Sequence, residues 1–437
     1  MLRHLVLGES AFLQWRHCKS SKLLSCNFVS CPDHERELLR ETRTVSTRQV
    51  CKVMLDHFDK QYGKELGPIW PSARAVLLNP SCWQYGIMLN RFACVTDLKQ
   101  QLQGQGFRSL LPHTGPCTAS CLIPPKPPWT YFLQTHQSFT ETSQGYADIS
   151  HPPNSLSDSL PKPVASSLPN HSPSLQCFIH PSPVRYPSPP HRLGQLKHYY
   201  LLNAASLLPV LALGVQDGDR VLDLCSAPGG KALAIIQTAT PALLCCNEVD
   251  PQRCDWLSKT LESFIPQSLS STITVSSLDG RSFGRRQPGC YDKVLVDAPC
   301  SNDRSWLFSR GGEQQSCRRL KERVQLPTLQ AELLRSALGA VRPGGVVVYS
   351  TCTLSCSENQ EVVEAVLNSC PGAELDNLVE ELVLPLQEHF TFAPPCSHNA
   401  SLSHTLSGNT HMHGILVVPQ PGQTWGPMFL SRFKRIH

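Results

Sequence analysis

From Tyr199 onward, short apolar runs recur at intervals that leave room for one helix between neighbours. The runs at 220–224, 243–249, 272–276, 293–296 and 345–349 are continuous rather than alternating, the pattern of strands buried on both faces. Between the last two, Leu326, Leu329, Leu333, Ala337 and Val341 return at helical spacing. Parallel strands need crossovers long enough to hold a helix, so this order predicts an α/β fold with a doubly wound parallel sheet. Two later runs, 415–418 and 428–433, are split by a Pro- and Gly-containing spacer and predict an antiparallel pair at the sheet edge.

The rest of the chain is of a different kind. Residues 1–30 carry Arg3, Arg16, Lys19 and Lys22 against one acid, Glu9, a composition that suits a mitochondrial transit peptide; residues 1–47 are therefore expected to be a flexible leader, with the matrix as destination. Residues 48–108, with Val50, Val53, Met54, Phe58 and later Ile87, Leu89 and Phe92, predict a small helical module suited to RNA binding. Prolines, serines and histidines crowd residues 109–190, which predicts a largely disordered linker, because such a stretch buries too little apolar surface to offset its ordering entropy. Residues 191–437 form the expected catalytic domain.

Bulk properties narrow the field further. The longest apolar stretch, 201–215, is broken by Asn203, Ser206 and Pro209 and falls short of the roughly 18 residues a membrane span needs, so no membrane association is expected. A net charge of +5 permits an acidic partner such as RNA without naming it. Twenty cysteines without a Cys-x-x-Cys pair predict free thiols in a reducing compartment and no metal site.

Ligands of open parallel sheets lie beyond the carboxyl ends of the strands. The first strand ends in Asp223-Leu224-Cys225-Ser226-Ala227-Pro228-Gly229-Gly230-Lys231, where two glycines allow backbone amides to approach a ligand closely. The spacing is neither that of a dinucleotide fingerprint nor that of a P-loop, which argues against a pyrophosphate ligand. Glu248 ends the second strand, where an acid can accept hydrogen bonds from ribose hydroxyls. Asp279 follows the third strand and Asp297 the fourth. Cys300 and Cys352 follow the fourth and fifth, so two thiols can share one pocket; strand-end position alone would let either of them attack a substrate.

Three of these segments, the run from Asp223 to Lys231, Asp297-Ala298-Pro299-Cys300-Ser301 and Tyr349-Ser350-Thr351-Cys352-Thr353, closely resemble the RsmB/Nop/Sun family of RNA cytosine-5 methyltransferases. The run from Lys197 to Ser206 and Asn302-Asp303-Arg304-Ser305-Trp306-Leu307-Phe308 resemble its mitochondrial methionine-tRNA branch, although family members commonly place Gly where this chain has Asn302. The resemblance implies a class I methyltransferase sheet and S-adenosylmethionine as cofactor. It places the cofactor on Cys225, Ser226, Ala227, Pro228, Gly229, Gly230 and Lys231, with Glu248 at the ribose, Asp279 near the adenine and Asp297 beside the reacting groups. It makes Cys352 the nucleophile, Cys300 the thiol that assists product release and Lys231 a contact of the catalytic acid.

The chemistry fits that assignment. Carbon 5 of cytosine is a poor nucleophile until a thiolate adds at carbon 6, and a carboxyl group facing N3 and the exocyclic amine can steady the charge that addition creates. The expected substrate is tRNA, at the anticodon-loop cytosine of methionine tRNA, handled by a monomer with no role for DNA. Arg281, Arg285, Arg286, Arg304, Arg310, Arg318, Arg319 and Lys321 are candidate phosphate contacts, and Trp306 and Phe308 candidate stacking surfaces. The run from Ser357 to Gln360 reads as a capping box. Two competitors remain at this point. A methyltransferase for protein or small molecules would need no paired thiols, and an RNA-binding or assembly factor on an inactive fold would need neither thiols nor cofactor acids.

Overall fold

The computed structural model describes residues 50–111, 175–190, 192, 194–308, 312–393 and 413–437. The expected leader and the central part of the Pro-rich linker lie outside these residues.

The amino-terminal module is mixed rather than helical. Helices α1 (Lys52–Glu65), α2 (Trp70–Leu78) and α3 (Thr96–Gly104) accompany a four-stranded antiparallel sheet of β1 (Gly86–Leu89), β2 (Arg108–Ser109), β3 (Cys177–Ile179) and β4 (Tyr199–Leu202), in the order β2-β3-β1-β4. The helical expectation fails at Ile87 and Leu89, because an apolar run of four residues fits a buried strand as well as a helix and only tertiary pairing decides. Two boundaries move as well. Cys177–Ile179, inside the expected linker, supplies a strand that bridges β1 and β2, and Tyr199–Leu202, inside the expected catalytic domain, pairs with β1. Even part of the proline cluster is held: Tyr186 packs edge-on against Phe107 and Tyr199, and the Tyr199 hydroxyl donates to the Pro187 carbonyl at 2.7 Å.

The second sheet matches the expected α/β architecture. Between β4 and its first strand comes α4 (Leu208–Leu213), closed by Gly214 in the left-handed region at φ 58°. Then follow β5 (Arg220–Asp223), α5 (Gly230–Thr238), β6 (Leu243–Asn247), α6 (Pro251–Phe264), β7 (Ile273–Ser276), β8 (Tyr291–Asp297), α7 (Gly312–Ala340), β9 (Val341–Thr351) and α8 (Gln360–Leu367). β10 (Ala373–Leu375), β11 (Phe392–Ala393), β12 (Ile415–Val417) and β13 (Met428–Arg435) complete it. The strand order is β11-β12-β13-β9-β8-β5-β6-β7, parallel from β9 to β7 and antiparallel from β9 outward, with β10 also on β13.

Period-two alternation divides the core between the two faces of this sheet. Val221, Leu295 and Val348 point to one side, with α4, α5 and α6; Leu222, Val294, Val296, Val347 and Tyr349 point to the other, with α1 and α7. Met54, Phe58 and Tyr62 of α1 are fully buried on that second face, so the first helix of the amino-terminal module is part of the catalytic core rather than an appendage.

Candidate active site

β8 and β9 are parallel neighbours, with Asp297 opposite Ser350. Their chain continuations therefore leave the sheet side by side and bring Cys300 and Cys352 together, Sγ to Sγ at 3.2 Å. The Cys352 amide also donates to Cys300 Sγ at 3.3 Å. Hydrogen bonding to Cys352 first, then burial, pushes the Cys300 thiol well above the ordinary thiol range. The two sulfurs lie within S–H···S distance, so a proton can pass between the two thiols.

One residue layer away stands the acid. Lys231, in the first turn of α5, donates from Nζ to Asp297 Oδ2 at 2.6 Å, and Ser350 Oγ donates to Asp297 Oδ1 at 2.9 Å. Burial opposes the Lys231 ammonium, but the charge of Asp297 and the hydrogen bond to it outweigh burial and raise its pKa. An ionised carboxylate offers about four lone-pair sites, so each oxygen of Asp297 keeps acceptor capacity for a substrate amine. The ammonium of Lys231 also faces the Cys352 thiol.

Beneath both thiols lies a buried polar layer. Asp303 accepts from Leu354 N–H at 2.7 Å, Thr353 Oγ1 at 2.9 Å and the Tyr62 hydroxyl at 2.8 Å. Glu358 accepts from Ser301 N–H at 2.9 Å, from Ser301 Oγ and from Gln330 Nε2. Arg323 lies between the two acids at 3.9 and 3.8 Å, too long for hydrogen bonds, and spends its Nη2 on the Tyr62 hydroxyl and Gln61. Sequence reasoning missed Asp303 and Arg323, and took Glu358 for part of a capping box. The helix actually starts after Asn359 with no side-chain cap, because the carboxylate of Glu358 turns inward to Ser301. One readable signal was the spacing of Arg323 and Gln330, seven residues apart and so on one face of α7.

At the cofactor end, the turn from Cys225 to Gly229 sits between β5 and α5, with Ser226 N–H on the Asn247 carbonyl at 2.8 Å and Gly229 at φ 105°, a conformation that favours glycine. Glu248 is buried, and burial raises its pKa despite the opposing Arg253 charge. Its Oε1 accepts from Asp250 N–H, whereas Oε2 has Arg253 at 3.3 Å and no hydrogen bond. Asp223, absent from the expected site, is fully buried. Burial pushes its pKa up to about 7, and while Oδ2 accepts from Ser226 Oγ, Oδ1 has no partner. Two acceptor atoms are thus left unmatched at the ends of adjacent strands β5 and β6. A nucleoside cofactor carrying ribose hydroxyls and an amino group supplies donors for such atoms, so the residues present fit it.

Not every expected residue joins this site. Asp279 is half exposed, and its carboxylate is taken up by Arg281, which holds its pKa below the usual carboxylate range. Trp306 is core, facing Arg319 at 5.6 Å, and Phe308 packs edge-on against Trp83, so neither is a free stacking surface. Arg304 stacks on Trp83 at 4.5 Å and bonds the Thr424 carbonyl, and burial pulls its guanidinium down to about 10; Arg281 is paired with Glu332 as well as Asp279. The phosphate-contact expectation therefore fails for Arg304 and Arg319, which are buried, whereas Arg281 is exposed and paired with two surface acids. Arg310 lies outside the described residues.

The description "16S rRNA methyltransferase RsmB/F" belongs to the family whose pattern matches residues 210–402, a span that holds both thiols and all the acids named above. The chain is 51% identical over 437 residues to the mitochondrial tRNA (cytosine(34)-C(5))-methyltransferase of Danio rerio, covering 99% of this chain and 100% of that protein. It is 43% identical to the protein of the same name from Mus musculus, over 89% of this chain and 92% of that one. The chain belongs to the RsmB/F family of RNA cytosine-5 methyltransferases. A methyltransferase homologue from Pyrococcus horikoshii has the same fold, with a TM-score of 0.50 at 17% identity over 93% of this chain and 100% of that one. As a member of this family the chain is a methyltransferase that uses S-adenosylmethionine.

The unmatched Oε2 of Glu248 gives a direct test of how that cofactor is held. Glu248→Ala is expected to weaken S-adenosylmethionine binding by about 1 to 3 kcal/mol, the scale of hydrogen bonds to a charged group. Calorimetric titration of the variant checks this. Unchanged affinity would remove Glu248 from the ribose.

Proposed function

We propose that this enzyme methylates carbon 5 of cytosine 34 in the anticodon loop of a mitochondrial tRNA, that of methionine tRNA, with Cys352 as the attacking thiolate and Cys300 as the thiol that helps it leave. The observation that carries the mechanism is the 3.2 Å pair of sulfurs, with an acid 55 residues before Cys352 at the neighbouring strand end. The sulfur of Cys352 bonds to carbon 6, and the displaced π electrons make carbon 5 nucleophilic toward the methyl group that S-adenosylmethionine supplies. Asp297, held by Lys231 and Ser350, accepts from the exocyclic amine and so orients the base, and the Lys231 ammonium beside it offsets the negative charge that addition sends toward that edge. After transfer the carbon 5 proton passes to water, its bonding pair restores the 5,6 double bond, and the carbon 6 to sulfur bond breaks with its pair on Cys352. The S–H of Cys300 meets the departing sulfur and stabilises its charge.

Cys225 to Lys231, Glu248 and Asp223 hold the cofactor. A loop base is already partly unstacked, so presenting it to a buried thiol costs less than opening a helix. The tRNA target and a mitochondrial location are supported by the names of the relatives, and import by the basic, acid-poor residues 1–30. Bisulfite sequencing of mitochondrial RNA from cells with and without the protein tests the target: one protected cytosine at position 34 should disappear with the protein. Protection unchanged there, with loss elsewhere, would redirect the substrate.

A further inference from the structure

Each thiol of the pair is followed in the chain by residues pinned to a buried carboxylate, and the two carboxylates differ in what they pin. Asp303 takes Thr353 and Leu354, just beyond Cys352. Glu358 takes the amide and hydroxyl of Ser301, the residue after Cys300. On the other side of Cys300, the Pro299 carbonyl accepts from Gln330 Nε2 at 2.8 Å, and the same nitrogen donates to Glu358 Oε2 at 3.1 Å. Cys300 is therefore clamped before and behind by a Glu358–Gln330 unit. Ser301 Oγ and Thr353 Oγ1 lie 3.0 Å apart, so the two thiol loops meet at these hydroxyls, each of which donates to its own carboxylate. The Tyr349 hydroxyl fixes the clamp in turn by donating to the Glu358 carbonyl at 2.6 Å.

We propose that Glu358 is a positioning residue for the release step: acting through Ser301, it holds the Cys300 thiol against the sulfur of Cys352. This rests on the assignment of Cys300 to product release. The groups facing the pair are Cys352 itself, Glu358 and the Tyr349 phenol on the Cys300 side, and Lys231, Asp297 and Arg304 around Cys352. Of those around Cys300, Glu358 is the anion bonded to the next residue, and its charge adds to the upward push on the Cys300 thiol. Arg323 and Asp303 face Glu358 in turn.

Two readouts separate the proposal from the assignment beneath it. The pH dependence of Cys300 alkylation by iodoacetamide, resolved by peptide mass spectrometry on the full-length protein, reports the thiol without reference to catalysis. In Glu358→Gln the midpoint should fall by about one pH unit, the scale of a nearby buried charge. Resolution of the RNA adduct in a single turnover should slow about tenfold at pH 8 while adduct formation changes little. Ser301→Ala keeps the charge and removes one tether, so it should slow resolution with the alkylation midpoint unmoved, and it serves if Glu358→Gln does not fold. An unmoved midpoint in Glu358→Gln, or normal resolution in Ser301→Ala with a shifted midpoint, overturns the proposal. A midpoint that falls with adduct resolution intact in Glu358→Gln, and intact also in Cys300→Ala, instead overturns the release role of Cys300.

Discussion

Cys352→Ala is expected to bind RNA and to form neither an adduct nor 5-methylcytosine, whereas Cys300→Ala should form adducts that persist through denaturing electrophoresis. The first expectation follows from the electronic requirement: without the Cys352 sulfur bonded to carbon 6, carbon 5 has no electron density to spend on a methyl group. The loss should be complete within detection. In the second variant the nucleophile remains, and Lys231 still places a positive charge toward it, so addition and methyl transfer proceed. What is gone is the S–H at 3.2 Å that meets the sulfur when it leaves. Adducts then build up because they form faster than they resolve. Trapping by Cys352→Ala and not by Cys300→Ala would exchange the two roles, and full turnover in both would dismiss thiol addition for this enzyme.

The catalytic sheet was legible because buried parallel strands leave continuous apolar runs, and all five expected strands overlap observed ones. The thiols, Asp297, Lys231 and Glu248 were legible because each falls just beyond a strand or opens the following helix, where the fold itself converges side chains. The amino-terminal sheet was not, since β1 to β4 are two to four residues long and β3 begins 91 residues beyond the start of β1, the strand it pairs with, with the Pro-rich stretch between. Local pattern carries no trace of such pairings. The polar layer was hidden for a second reason. Asp303, Arg323 and Glu358 carry the residue types of solvated surface, and only the packing of α1 and α7 over the thiol loops makes them interior. Charge reads as surface until its partners are known.

That interior charge makes Arg323 the residue whose loss should be most costly to the fold. Asp303 and Glu358 are fully buried, and burial raises the pKa of both in spite of Arg323, whose charge is the first influence acting to lower them. Arg323→Met keeps much of the side-chain volume over Phe58 and Tyr62 but strands two acids, and breaking a buried ion pair from one side typically costs about 3 to 5 kcal/mol. For a domain of this size the midpoint of thermal unfolding should fall on the order of 10 °C at pH 8. The pH dependence distinguishes stranded charge from lost packing. Without Arg323 both folded-state pKa values move further above those of the unfolded chain, so the native state holds protons that the unfolded state releases. Stability contributed in this way is present below the ordinary carboxylate pKa and is lost as pH rises through the folded values, by up to about 1.4 kcal/mol per pH unit for each proton. The variant should therefore recover toward wild type as pH is lowered from 8 to 5.5, and adding Glu358→Gln should narrow the gap at pH 8. A deficit of equal size at both pH values would assign the loss to packing, and wild-type unfolding at pH 8 would show that the two acids do not depend on Arg323.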